Sequence, residues 1–193
     1  MRQSADHAKA LDFPSGPGEI PAMKLAPLTL ALTLLTTAAF AAPTPAPDDK
    51  AAFAQLKSLA GTWHGHSDCG GKRRMTVIYH MISGGSTVME TLMPGTKMEM
   101  VSMYHLDREG ELVMKHYCSA GNQPQMEYDR KHSAAGTLVF KFDGGDVDAR
   151  RDMHVHNGTI RLVGKNQIES EWTPWKDGQP MPVSKMSLKR AAE

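Results

Sequence analysis

The sequence is poor in cysteine and in aromatic side chains, and it has almost no net charge. Its 193 residues include two cysteines, 6% aromatic residues, and 22 basic against 21 acidic residues, which gives a net charge of +1. This balance argues against nucleic-acid binding through bulk charge and against an acidic disordered tail. The short basic run at 72–74 is too small to change that interpretation, so no nucleic-acid partner is expected.

Motifs of known catalytic chemistry are also missing. No spacing in the sequence combines a nucleophile, a base and an orienting group, and there is no phosphate-binding loop. An enzyme is therefore the function with the least support. Methionine, in contrast, is abundant with 14 residues, and it readily fills irregular apolar cores and pockets.

One apolar segment near the N-terminus has the organisation of a secretory signal peptide. Lys24 precedes it, residues 25–39 contain no charged side chain, and residues 39–41 (AFA) form the small-x-small pattern of a cleavage site. The segment is too short and too rich in threonine to span a bilayer comfortably. We therefore expect a signal peptide at 23–41 and export to the periplasm or the medium. An uncleaved anchor is the alternative.

The segments on either side of this peptide complete the expected domain organisation. Residues 1–22 are polar and aperiodic, and we interpret them as an over-extended start before the true initiator, Met23. Residues 42–49 are rich in proline and form a short extended spacer. The remaining residues, 50–193, are predicted to form one β-barrel domain, without a stable membrane anchor once the signal peptide is removed.

Beyond a short helical stretch at 51–60, apolar and polar residues alternate in short segments separated by turn residues. This pattern predicts an all-β fold, namely an antiparallel up-and-down barrel of about ten strands with a short N-terminal helix. A barrel of this width is not filled by its own side chains, which predicts an internal cavity. The predicted strands are 61–67, 74–81, 86–93, 97–106, 111–118, 125–131, 137–142, 153–163 (with a break at Asn157-Gly158), 167–175 and 182–190.

Gly61 and Trp63 begin the first predicted strand directly after the helix. Glycine permits a sharp change of direction, and the tryptophan is expected to close the narrow end of the barrel beneath a basic side chain of the last strand. Lys189 and Arg190 are the basic residues at the required place. We assign Gly61, Trp63 and Arg190 a structural role.

The pattern Gly61-Thr62-Trp63-His64-Gly65 resembles the Gly-x-Trp-x-Gly motif of lipocalin-like (calycin) barrels. More closely, the chain resembles small exported bacterial domains of unknown function and, at a greater distance, nitrobindin-like barrels. The resemblance covers about residues 53–190 and implies a lipocalin-like fold. Nitrobindin-like barrels bind haem through a histidine near the C-terminal strands, whereas residues 157–193 of this chain contain no histidine. Further stretches similar to the exported family are 104–107, 116–126, 153–156 and 171–172.

The expected cavity makes the binding of a small, largely apolar ligand the favoured function. Apolar side chains would supply burial, and a few polar groups would orient the ligand. Because a shift of one residue exchanges the inward and outward faces of a strand, the sequence leaves the orientation of each strand open. The candidate ligand-binding residues are Tyr79, Glu90, Met100, Tyr104, Met114, His116 and Trp172.

Histidines provide the alternative function, a metal- or haem-binding protein that uses His154, His156 and His116. His154 and His156 are two residues apart, so both point to the same face of an extended strand. A solvated or hydrogen-bonded pair is the competing interpretation, because His-x-His without a third ligand is not specific. The cofactor is unknown, and neither haem nor a transition metal is favoured.

Met98, Met100 and Met103 form a cluster in the sequence that would suit a soft copper(I) ion, since thioether sulfur is a soft ligand. In a regular strand, however, Met98 and Met100 lie on one face and Met103 lies on the other. The spacing therefore favours methionines that line a core or a pocket.

Cys69 and Cys118 are the only cysteines, and an even number in an exported chain predicts a disulfide bond. Two separate thiols are the alternative. His116 is two residues before Cys118 and shares its face of the strand. If that face points inward, His116 needs a buried hydrogen-bond partner, for which Glu90 or Tyr104 is expected.

Overall fold

Antiparallel pairing joins ten strands into a closed barrel. The computed structural model describes Gly16 and residues 45–68 and 71–192. The predicted signal peptide at 23–41 therefore lies outside the described residues, as does the predicted over-extended start at 1–22 apart from Gly16.

Eleven strands make up the sheet in the described part of the chain. They are β1 (Gly61–Ser67), β2 (Arg73–Ile82), β3 (Thr87–Leu92), β4 (Met100–Leu106), β5 (Leu112–Tyr117), β6 (Gln123–Tyr128), β7 (Thr137–Asp146), β8 (His154–Leu162), β9 (Gln167–Lys176), β10 (Gln179–Pro180) and β11 (Ser184–Arg190). Each strand from β1 to β8 pairs with its successor, and β11 closes the barrel by pairing with both β9 and β1. The two-residue strand β10 only extends β9. This closure confirms the predicted all-β, antiparallel up-and-down barrel.

Side chains along the strands alternate between the interior and the outside, as strand geometry requires. On β3, Val88, Glu90 and Leu92 are buried and the residues between them are more exposed. The same alternation on β5 buries Met114 and His116. These patterns fix the inward faces of strands that the sequence alone left open.

The predicted break at Asn157-Gly158 is wrong, because β8 is continuous through both residues. The irregularity is a shift of register against β9 between Val155 and Asn157. A bulge of this kind inserts one extra residue while the strand continues. His156 is the inserted residue, so the bulge lies inside the His-x-His pattern.

The helix α1 (Asp49–Lys57) precedes the barrel and packs against β4 and β5. Asp48 accepts a hydrogen bond from the backbone N–H of Ala51 at 2.8 Å, which satisfies one free donor of the first turn. This cap explains why the helix begins two residues before the predicted stretch at 51–60. Within the described residues, no helix is both long enough and apolar enough to cross a membrane.

One end of the barrel, called here the closed end, is sealed by Trp63 and Arg190. Trp63 is fully buried, and the Arg190 guanidinium lies 4.3 Å from the centre of its ring. The same guanidinium donates to the carbonyl oxygens of Ala60 (2.7 Å) and Ser58 (2.9 Å), so it also holds the segment after α1. Gly61 has a φ of +126°, which allows the chain to turn sharply into β1.

Candidate ligand-binding cavity

A cavity of about 270 Å³ lies inside the barrel at the end opposite the closed end, called here the open end. Its wall comes from residues near the open ends of β1 to β5, β8, β9 and β11, and most of that wall is apolar. Six of the lining residues are methionines, whose flexible thioether side chains adapt to the shape of a bound molecule. They are Met75, Met93, Met98, Met100, Met153 and Met186.

Four of the seven candidate ligand-binding residues line this cavity, and three lie elsewhere in the interior. Glu90, Met100, His116 and Trp172 are in the wall. The other three are Tyr79, Tyr104 and Met114. Each is buried, with at most 2% of its surface exposed, and none of them lines the cavity. They lie nearer the closed end, where the core fills the barrel.

Four buried side chains lie next to each other across adjacent strands and are called here the polar row. Tyr79 on β2 is the register partner of Glu90 on β3, Glu90 is that of Ser102 on β4, and Ser102 is that of His116 on β5. All four are at most 6% exposed. The polar row is therefore a band of hydrogen-bonding groups inside a largely apolar barrel.

Glu90 is the centre of the hydrogen bonds in the polar row. Its Oε1 accepts from the hydroxyl of Tyr79 at 2.7 Å, and its Oε2 accepts from the hydroxyl of Tyr104 at 2.8 Å. Ser102, the register partner of Glu90 on β4, is a third hydroxyl beside the carboxyl group. Burial raises the pKa of Glu90, and these three hydroxyls oppose that rise.

The two tyrosines remain donors at any ordinary pH. Burial is the main reason that the pKa of Tyr79 and that of Tyr104 are raised well above their usual value, and the nearby Glu90 raises both further. Both phenols therefore stay protonated and continue to donate to the carboxyl group. Tyr104 also packs edge-to-face against Phe140, with ring centroids 5.5 Å apart, which fixes its ring.

His116 has a different partner from the two that the sequence suggested. Its Nδ1 is 3.0 Å from the hydroxyl oxygen of Ser102, and neither Glu90 nor Tyr104 forms a hydrogen bond with it. Burial lowers the pKa of His116 to about 4, so the imidazole is neutral at neutral pH. Ser102 lies between Glu90 and His116 in the polar row, and no local sequence signal pointed to it.

Trp172 forms part of the cavity wall because Gly158 makes room for it. The two residues are register partners on β9 and β8. A Cβ atom added to Gly158 would lie 2.1 Å from Cζ3 of Trp172, so only glycine permits this position of the ring. The indole N–H of Trp172 is buried and has no hydrogen-bond partner among the described residues.

Cys118 lines the cavity as a free, half-buried thiol. Its sulfur accepts a hydrogen bond from the backbone N–H of Ala120 at 3.5 Å. The expected disulfide with Cys69 is therefore not formed among the residues that the structure describes, and Cys69 itself lies outside them. Cys118 belongs to the open end of the barrel.

His154 and His156 are close together, but they bind each other. The distance from Nε2 of His154 to Nδ1 of His156 is 3.0 Å, and Nδ1 of His154 donates to the carbonyl oxygen of Asp152 at 2.8 Å. His154 must therefore accept through Nε2, the nitrogen that a metal would need. His156 is also stacked between aromatic neighbours, with ring centroids 4.0 Å from Trp175 and 5.0 Å from Phe142.

A third metal ligand is not found beside this pair. In the described part of the chain, no three His, Cys, Asp or Glu side chains are grouped so that they could hold a metal ion. Met98 and Met100 line the cavity together, whereas Met103 lies on the outward face of β4. The three methionines therefore do not converge, as the strand geometry predicted.

A larger depression of about 740 Å³ lies on the outer surface of β11, β1 and β2. Its exposed side chains include His64, His66, Arg74 and Lys189. It is open to solvent and lacks the enclosed, inward-facing wall typical of small-molecule sites. The interior cavity, whose wall faces inward and combines apolar side chains with a few polar groups, is the better candidate site.

Comparison with known proteins supports the fold and leaves the function open. No family model and no curated protein matches the chain. Among solved structures, the chain is similar to a protein of unknown function from the DUF3598 family of Nostoc punctiforme PCC 73102, with a TM-score of 0.50 and 13% identity. The match covers 77% of this chain and 51% of that one, so this chain spans about half the length of that protein.

Proposed function

We propose that the protein is an exported, lipocalin-like carrier that holds a small, largely apolar molecule in the barrel cavity. The observation that carries this proposal is the cavity of about 270 Å³ with its methionine-rich wall and its polar row. Small-molecule sites are typically apolar pockets in which a few placed polar groups orient the ligand. Export, to the periplasm or the medium, is proposed from the signal-like pattern at 23–41 alone.

The size of the cavity limits the ligand. Pockets for drug-sized molecules usually measure roughly 300–1,000 Å³, so a volume of about 270 Å³ suits a smaller molecule. Such a ligand gains affinity mainly by removing apolar surface from water. Methionine side chains would close around it with little strain because they have several accessible rotamers.

Filling the cavity with a protein side chain tests the proposal. Met100→Trp adds bulk to the cavity wall, and we expect it to weaken binding of the neutral probe 4-propylphenol by about tenfold or more, measured by isothermal titration calorimetry. Met103→Trp is the matched control, because Met103 is on the same strand and faces outward. Equal affinity in wild type and Met100→Trp would place the probe elsewhere, and absence of binding to wild type would contradict the proposal.

Native mass spectrometry of the exported protein identifies what it carries. A co-purified organic mass would support the proposed carrier function and give the ligand class. An added metal or haem mass would instead favour the histidine-based alternative, for which a His154→Ala/His156→Ala double variant should lose the metal. Metal retained by that double variant would exclude these two histidines as its ligands.

A further inference from the structure

Three side chains that can bind a soft metal lie on the inward faces of two neighbouring strands at the open end. His116 is on β5 and Cys118 directly follows that strand, and both line the cavity, so their side chains share one face. Met100, the first residue of β4, lines the same cavity. The register pairs Val101 with Tyr117. One step further along, the same register places Met100 opposite Cys118.

The pairing of Met100 with Cys118 brings their side chains close together. The backbone N–H of Cys118 donates to the carbonyl oxygen of Asn122 at 3.0 Å, which is on the side of β6 and not of β4. The two residues therefore face each other as a non-hydrogen-bonded pair, in which the Cα atoms are about 4.5 Å apart and the side chains are closest. His116 is the diagonal neighbour of Met100, within reach of its long side chain.

His116 and Cys118 are available as ligands. Nδ1 of His116 is 3.0 Å from the hydroxyl oxygen of Ser102, and no described residue forms a hydrogen bond with Nε2. Burial lowers the pKa of His116 to about 4, so the imidazole is neutral and need not lose a proton to bind a metal. With a metal on Nε2 the ring proton is on Nδ1, and the Ser102 hydroxyl can accept from it, which orients the ring. The Cys118 thiol is free.

The donor atoms favour a soft ion with a single positive charge. Thiolate and thioether sulfur are soft ligands that suit Cu(I), and imidazole also binds copper. Cu(I) and one thiolate together carry no net charge. This balance matters because burying an uncompensated charge in a largely apolar wall is costly. Five of the other lining residues are also methionines, so soft sulfur surrounds this part of the cavity.

We propose that Cys118, His116 and Met100 bind Cu(I) at the open end of the barrel, in a three-coordinate site of two sulfurs and one nitrogen. As the copper–sulfur bond forms, the Cys118 thiol releases its proton to solvent, and no electron is transferred. The described residues contain no group of three His, Cys, Asp or Glu side chains suited to a metal, and here the thioether of Met100 supplies the third ligand. The site goes beyond the proposed carrier function and does not depend on it.

Competition with the chromophoric chelator bicinchoninate, without oxygen, measures the affinity of the full chain for Cu(I). Loss of an outer-shell partner already weakens metal binding by about 10–100-fold, so Cys118→Ser should weaken it by about a hundredfold or more. Met100→Leu keeps an apolar side chain but removes a neutral, weaker ligand, and it should cost about tenfold. Met103→Leu is the matched control on the outward face of β4, and it should keep the affinity of the wild type.

X-ray absorption at the copper edge identifies the bound atoms independently of affinity. Wild type with one equivalent of Cu(I) should show two sulfur neighbours and one nitrogen neighbour. His116→Phe should lose the nitrogen, and Cys118→Ser should lose a sulfur. Should either variant fail to fold, the spectrum of the wild type still decides, because a site without two sulfurs contradicts the proposed ligands.

Two further variants exclude other sites in the chain. Cys69→Ser and the His154→Ala/His156→Ala double variant should both bind Cu(I) as tightly as wild type, and a loss in either would overturn the proposal.

The remaining outcomes are equally decisive. Absence of Cu(I) binding to wild type, unchanged affinity in Cys118→Ser, or equal affinity in Met100→Leu and Met103→Leu would overturn the proposed ligand set. None of these results bears on the carrier function, which binding of 4-propylphenol to the copper-free protein tests separately.

Discussion

Glu90 is a carboxyl group whose burial would be unfavourable without its neighbours. It is 1% exposed, and desolvation of a charged carboxylate is expensive unless hydrogen bonds replace the lost water. Tyr79 and Tyr104 supply two of these bonds at 2.7 and 2.8 Å. Each of the three residues therefore depends on the others, and removing one would leave a buried polar group without its partner.

His116 should make the stability of the barrel depend on pH. Its pKa is lowered to about 4 by burial, while an unfolded histidine titrates near 6.5. Between these values the unfolded chain binds more protons than the folded chain, so stability is lost as the pH falls. The stabilisation is fully present above about pH 6.5 and amounts to roughly 3 kcal/mol, most of which should be lost at pH 4.

Urea denaturation at pH 7.5 and pH 4.5 measures this effect. From pH 7.5 to pH 4.5, the free energy of unfolding should fall by roughly 2–3 kcal/mol more in wild type than in His116→Gln. The raised pKa of Glu90 acts in the opposite direction, because the stability that protonation of Glu90 contributes is lost as the pH rises. This effect is present in both wild type and His116→Gln. His80→Gln is the control, because His80 is exposed on β2. Equal losses in wild type and His116→Gln would contradict the neutral, buried state of His116.

At the scale of the elements, β8 and β9 hold part of the cavity wall in place. The ring of Trp172 occupies the space where Gly158 lacks a side chain. We expect Gly158→Ala to displace the ring, to lower the free energy of unfolding by about 1–3 kcal/mol, and to weaken 4-propylphenol binding. Urea denaturation and calorimetry measure the two effects.

A double-mutant cycle separates this clash from other effects of the added methyl group. In a Trp172→Leu background the large ring is absent, so Gly158→Ala should cost much less than it does in wild type. An equal cost in both backgrounds would show that the destabilisation has another origin. The cycle therefore tests the contact itself.

The strands could largely be predicted from the sequence, whereas their inward faces and the partners within the site could not. Turn residues and period-two alternation predicted all ten barrel strands because both are local signals. The polar row depends instead on the register between strands, which places Glu90 beside Ser102 and Ser102 beside His116. A single serine in β4 carries no local sign of that role, so Ser102 was missed.

The bulge at His156 was missed for a similar reason. The spacing of His154 and His156 predicted that both share a face and could bind a metal, which holds for a regular strand. The inserted residue and the pairing with β9 instead bring the rings within hydrogen-bonding distance, at 3.0 Å. Aromatic neighbours from two other positions, Phe142 and Trp175, then pack against His156.

At the scale of the whole molecule, the two ends of the barrel have different roles. Trp63 and Arg190 seal the closed end with a cation–π contact and hydrogen bonds to the backbone. The open end instead carries the cavity, with Met98 half exposed beside it. A ligand therefore reaches the polar row only past the residues of the open end, where Cys118 is located.

Cys118 can consequently report on ligand occupancy. In a Cys69→Ser variant, only one thiol remains for iodoacetamide, and Cys118 lines the cavity as a free, half-buried cysteine. We expect saturating 4-propylphenol to slow its alkylation severalfold, because a ligand in the cavity blocks access to the sulfur. Mass spectrometry over time measures the rate.

The cavity-filling variant provides the matched control for this labelling. Combining Cys69→Ser with Met100→Trp should remove the protection by 4-propylphenol, since the probe no longer fits, whereas Met103→Trp should retain it. Protection that persists in the Met100→Trp background would mean that the probe binds outside the cavity and acts on Cys118 from a distance. Unchanged alkylation in the Cys69→Ser variant under saturation would show that ligands enter without passing the open end.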